Sequence, residues 1–104
     1  MMAGEYGNFI RIQTDENITT YTNALSVTSG HPFVITKELS PDAPVGLTTV
    51  IIDGITFVGG QYVEYEIQEG DIDQGGEWEV CLHSVTPTNK KKILTGLFFT
   101  VGVC

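Results

Sequence analysis

Three acidic residues are spaced as ligands for a hard cation often are. Asp71, Asp73 and Glu77 form a D-x-D-x-x-x-E cluster whose oxygens could serve Ca²⁺. The cluster lacks the third Asp/Asn-Gly step and the closing Glu of a full calcium loop, so it reads as a solvated turn and no metal is expected. Two further pairs, Glu64/Glu66 and Glu77/Glu79, alternate along what should be the outward faces of neighbouring strands. Paired carboxylates can act as acid and base on a glycoside. That chemistry needs a cleft and one carboxyl raised by burial, which an outward sheet face does not supply. The expected role is to keep a sheet face wet and to discourage edge pairing.

Nucleophilic chemistry finds no better footing. His31 precedes Pro32 in a turn, and His83 falls on the polar side of the stretch around Trp78. No Ser or Cys sits in a G-x-S-x-G elbow, so no catalytic residue is expected. Cys81 and Cys104 lack metal-ligand spacing, and free thiols are expected rather than a disulfide. Lys90-Lys91-Lys92 gathers three of the 5 basic residues at one hairpin tip. Three lysines are too few for a nucleic-acid patch, but a positive tip on an acidic chain can dock on an acidic edge of another copy.

The elements that must position these residues follow from composition and alternation. The chain has 104 residues, which suits one domain, taken as 1–104 with 1–8 as an extended N-terminal arm. About a third of it is Thr, Val or Ile, residues that suit a pleated surface better than a helix. Thirteen carboxylates against 5 Lys plus Arg leave a net charge of −8, which repels a phosphate backbone. No signal peptide and no apolar run of membrane-spanning length is visible, so synthesis in a cytoplasm is expected.

Strands are predicted over Phe9 to Thr14, Ala24 to Thr28, Phe33 to Glu38, Leu47 to Ile52, Ile55 to Val58, Gln61 to Ile67, Glu77 to His83 and Ile93 to Val103. Turns fall at Ser29-Gly30-His31-Pro32, Ser40-Pro41-Asp42-Ala43-Pro44, Asp53-Gly54 and Gly59-Gly60. Val63, Tyr65 and Ile67 should face the core, with Tyr62, Glu64 and Glu66 outward. Trp78, Val80 and Leu82 share a phase, so Trp78 is expected to anchor the core rather than stack on a sugar. About seven or eight strands and no helix point to an all-β antiparallel sandwich.

Asp73-Gln74-Gly75-Gly76-Glu77-Trp78-Glu79-Val80-Cys81 resembles the start of the F strand in immunoglobulin-like sandwiches. Trp78 stands where that family usually has Tyr, and Val80 where antibody domains have Cys. More widely, Gly7-Asn8-Phe9-Ile10-Arg11-Ile12, Val63-Glu64-Tyr65-Glu66-Ile67-Gln68-Glu69-Gly70-Asp71, Gly76-Glu77-Trp78-Glu79-Val80 and Gly96-Leu97-Phe98-Phe99-Thr100-Val101 follow one another in a familiar order. The chain resembles the small immunoglobulin-like virion proteins of tailed bacteriophages, and the N-terminal domains of phage upper-baseplate proteins. It departs from them where Ser29-Gly30-His31-Pro32 replaces a P-D-G hairpin. The resemblance implies a non-catalytic virion component (head decoration, neck, tail or baseplate) that contacts copies of itself and other virion proteins. It implies no cofactor. The alternative expectation is a module on the same fold that binds a carbohydrate or a host surface glycan through exposed tyrosines such as Tyr6, Tyr21 or Tyr62.

Overall fold

A computed structural model describes residues 1–30 and 34–102. The predicted turn residues His31 and Pro32, the strand residue Phe33, Val103 and Cys104 lie outside the described residues. Among the described residues there are nine strands and no helix, so none is long and apolar enough to cross a membrane. The strands are β1 (Phe9–Gln13), β2 (Thr22–Ser29), β3 (Ile35–Ser40), β4 (Val45–Gly46), β5 (Val50–Ile52), β6 (Ile55–Phe57), β7 (Tyr62–Glu66), β8 (Gly76–Val85) and β9 (Lys91–Val101).

Two antiparallel sheets make the sandwich. One runs β3-β2-β8-β9 and the other β1-β7-β4, while β5 and β6 form a separate hairpin. Strand β8, which carries Trp78, is central between β2 and β9. Alternation decides what each strand buries. Asn23, Leu25, Val27 and Ser29 of β2 and Trp78, Val80, Leu82 and Ser84 of β8 point into the core. Ile10 and Ile12 of β1 and Val63 and Tyr65 of β7 meet them from the other sheet, while Ile18, Ile67 and Ile72 close the ends. Burying such side chains supplies about 1.5–3 kcal/mol each against leaving them in water.

Three expectations are corrected. The predicted strand Leu47 to Ile52 is two pieces: β4 pairs with β7 and β5 pairs with β6. The Tyr62 ring fills the space a Cβ would need at Gly46, and the Tyr62 hydroxyl donates to the Thr48 carbonyl at 2.9 Å. The chain therefore leaves the sheet at Leu47 and returns in a hairpin turned by Asp53 and Gly54, both at positive φ as a type I′ turn requires. Residues 1–8 are not an extended arm. Ala3 donates to Gly102, Gly4 to Ile72 and Gly7 to Ile67, because glycines at positive φ let this segment fold back across the domain. Finally, β7 and β8 are not neighbours: the segment 67–75 carries the chain from one sheet to the other, so Glu64/Glu66 and Glu77/Glu79 lie on different sheets.

Candidate interaction surface

The carboxylates singled out by spacing occupy separate places. Asp71 accepts from the Tyr65 hydroxyl at 2.6 Å and from the Gln68 N–H at 2.7 Å, pinning the turn after β7. Asp73 pairs with Lys37 at 2.9 Å, which ties the same loop to β3. Glu77 lies on β8, opposite Thr100 of β9. Among the described residues no three His, Cys, Asp or Glu side chains converge on a point that could hold a metal. Glu64 faces Arg11 across β1 and β7, with Nε donating to the carboxylate at 2.8 Å. Half-exposed pairs of this kind contribute at most about 1 kcal/mol. Glu66 is exposed on the same strand.

Tyr62 corrects the expectation that it faces outward. It is buried, its ring 5.5 Å from that of Phe57, because the β5–β6 hairpin brings Phe57 over the side of β7 that alternation marks as outer. Tyr21 donates its hydroxyl to Glu16 at 2.8 Å, and Tyr6 alone of the three tyrosines is exposed. Trp78 is fully buried, as its phase with Val80 and Leu82 implies, and its indole N–H donates to the Gln74 carbonyl at 3.1 Å.

The Tyr65–Asp71 bond carries a testable pH dependence. Burial and then the Asp71 carboxylate push the Tyr65 phenol well above its ordinary value near 10. The folded state thus favours the neutral phenol, and this stabilisation is intact below about pH 10 and fades as pH rises beyond it. Denaturation midpoints in urea should fall between neutral pH and about pH 11, and Tyr65→Phe should flatten part of that fall. At neutral pH the same variant should cost about 1–2 kcal/mol through the lost bond. An unchanged alkaline slope would remove Tyr65 from this role.

Sequence spacing missed one pairing. Cys81 and His83, two apart on β8, share a face, and Sγ lies 3.0 Å from Nε2. The i, i+2 geometry of a strand was the available signal. Burial first and the Glu79 charge second push the Cys81 thiol up, which disfavours the thiolate.

An open groove of about 490 Å³ lies between the end of β1 and the β8–β9 pair, lined by Gln13, Thr14, Glu16, Ile18, Leu82 and Lys92 among others. Lys92 reaches across to Glu16, and that bond, then the Tyr21 hydroxyl, hold the Glu16 carboxyl below the usual range. Lys90 and Lys91 remain exposed at the start of β9.

The most unusual surface is apolar. Ile93, Leu94, Leu97 and Phe98 of β9 are 58%, 42%, 44% and 52% exposed. Leu47, Ile51, Ile55 and Val58 are exposed on and beside the β5–β6 hairpin. Strand β9 is also the outermost of its sheet. Fold and surface together define an antiparallel β-sandwich with a long apolar edge. No family model, curated protein or solved structure matches the chain.

Proposed function

We propose that this chain is a non-catalytic structural component of a tailed-phage virion, acting through contacts with copies of itself and with other virion proteins. The supporting observation is the exposed apolar edge of β9. Folded monomers ordinarily blunt such edges with charge, proline or a covering segment, because unpaired strands recruit other strands. A building block keeps one for its neighbour. The phage setting comes from the sequence resemblance, and a net charge of −8 suits a protein that meets its partners by shape rather than a phosphate backbone. On this reading it is made in the host cytoplasm and leaves with the particle.

Mass spectrometry of purified particles from cells carrying the gene should recover the chain in fixed proportion to the other structural proteins. The isolated chain should sediment as a defined oligomer. A strict monomer at high concentration that binds an oligosaccharide, and loses it on Tyr6→Ala, would replace this reading with that of a glycan-binding module.

A further inference from the structure

The edge of β9 is specific about what can cover it. Its ten residues from Lys91 to Thr100 include no proline, and only the first two are charged. At Gly102 the edge is already taken: the Gly102 N–H donates to Met1 and the Gly102 carbonyl accepts from Ala3. Among the described residues, the stretch from Lys91 to Thr100 has no strand on its outer side.

A bulge interrupts that stretch. Val80 of β8 opposes Leu97 and Leu82 opposes Leu94, so β9 places Thr95 and Gly96 where β8 has Cys81 alone. The extra residue reverses the alternation. Lys92 and Leu94 before it, and Leu97 and Phe99 after it, share the core side with Trp78 and Leu82. Lys91 and Ile93, then Phe98 and Thr100, share the outer side. A regular strand laid along this edge keeps phase only as β8 does, by setting one residue against Thr95 and Gly96, since directly opposed residues must point to the same face. A partner that carries the same extra residue at the facing point pairs residue for residue along the whole stretch, with no second interruption.

We infer that the partner is β9 of a second copy, antiparallel about a two-fold axis between Thr95 and Gly96. This rests on the structural reading above and gives it a contact. In that register Lys91 opposes Thr100 and Ile93 opposes Phe98 on the outer side, while Lys92 opposes Phe99 and Leu94 opposes Leu97 on the core side. Every pair is in phase, and the bulges face each other. The two-fold axis repeats each pair, so the exposed apolar side chains of both copies meet one another. Charge agrees with the register. Thr100 pairs with Glu77 on its own β8, so the outer-side Glu77 of one copy lies one strand beyond Thr100 from Lys91 of the other, about 10 Å between backbones and within the reach of the two side chains, twice. The four-stranded sheets of the two copies become one continuous sheet.

Cysteine pairs read the register directly. In the full chain with Cys81→Ser and Cys104→Ser, Ile93→Cys/Phe98→Cys and Leu94→Cys/Leu97→Cys each place thiols at opposed positions. Opposed pairs alternate between narrow and wide spacing, so at least one of the two variants should oxidise to a covalent dimer. Within one strand residues 94 and 97 are about 10 Å apart, too far for an internal bond. The out-of-phase variant Ile93→Cys/Leu97→Cys should stay uncrosslinked. Lys91→Glu should lower the sedimentation mass, and adding Glu77→Lys should restore it. Circular dichroism checks that each variant is folded, and Phe98→Lys, at an exposed site, should abolish association even if the cysteine variants fold poorly. An oligomer that survives Phe98→Lys and never crosslinks overturns this contact but leaves the structural reading standing. A wild-type monomer at every concentration overturns both.

Discussion

Trp78→Ala should cost about 3–5 kcal/mol, the range for deleting a large buried aromatic. That is a large share of the total stability of a small domain, about 5–15 kcal/mol. Trp78 is fully buried on the central strand β8, opposite Ser29 of β2 on one side and Phe99 of β9 on the other. Its indole also closes the corner at the start of β8 through the bond to Gln74. Alanine therefore leaves a cavity between the sheets and frees the loop that delivers the chain from β7 to β8. Trp78→Phe retains most of the volume and loses the N–H, and should cost less, about 1–3 kcal/mol. The measurement is urea denaturation followed by circular dichroism, because Trp78 is the only tryptophan and its fluorescence disappears with it. A loss below about 1 kcal/mol for the alanine variant would mean that the sheets do not pack around this residue.

Asn23→Ala should cost nearly as much, about 2–4 kcal/mol, by a different route. Asn23 is a fully buried polar side chain among apolar neighbours. Its amide donates to the carbonyls of Ile18 and Tyr21, and its oxygen accepts from the Ser84 hydroxyl at 2.8 Å. Its backbone joins in, with the N–H donating to Asp42 and the carbonyl accepting from Ala43. One residue thereby ties the loop after β1, the loop after β3 and strand β8 to β2. Truncation leaves the Ser84 hydroxyl buried without this partner, and such an orphaned group costs about 1–3 kcal/mol, while the Ile18 carbonyl loses one of its two donors and keeps the Tyr21 N–H. The double variant Asn23→Ala/Ser84→Ala should recover part of the loss, since it removes one orphan. Strict additivity of the two single variants in denaturant titrations would count against the network.

The network also shows where reading the sequence stops. Asn23 sits one residue before the predicted strand Ala24 to Thr28, and nothing in its local spacing marks it as buried. It is in phase with Leu25 and Val27, and that phase was the only available signal. Tyr62 illustrates the converse. Its alternation with Val63 places it outward, and β7 does turn it that way, but the β5–β6 hairpin then covers it with Phe57. Cys81 and His83 meet because both lie on one side of β8, a proximity implied by their spacing. Asp71, Asp73 and Glu77 look like a cluster in one dimension and take different roles in three.

Features that depend on a few adjacent residues are legible along the chain. The period-2 runs from Phe9, around Leu25, from Val63 and from Trp78 specified strands and their buried sides, because successive side chains of an extended chain must point to opposite faces. Asp53-Gly54 specified a hairpin, because few dipeptides accept two successive positive φ angles. Tertiary structure alone decided the rest. It set β7 and β8 in opposite sheets, folded residues 1–8 back onto Ile67, Ile72 and Gly102, and left β9 as an open edge with one residue more than its neighbour. These are properties of pairing between distant segments. The alternation within a strand carries its faces but not the identity of its neighbour, nor whether a third segment will cover what it turns outward.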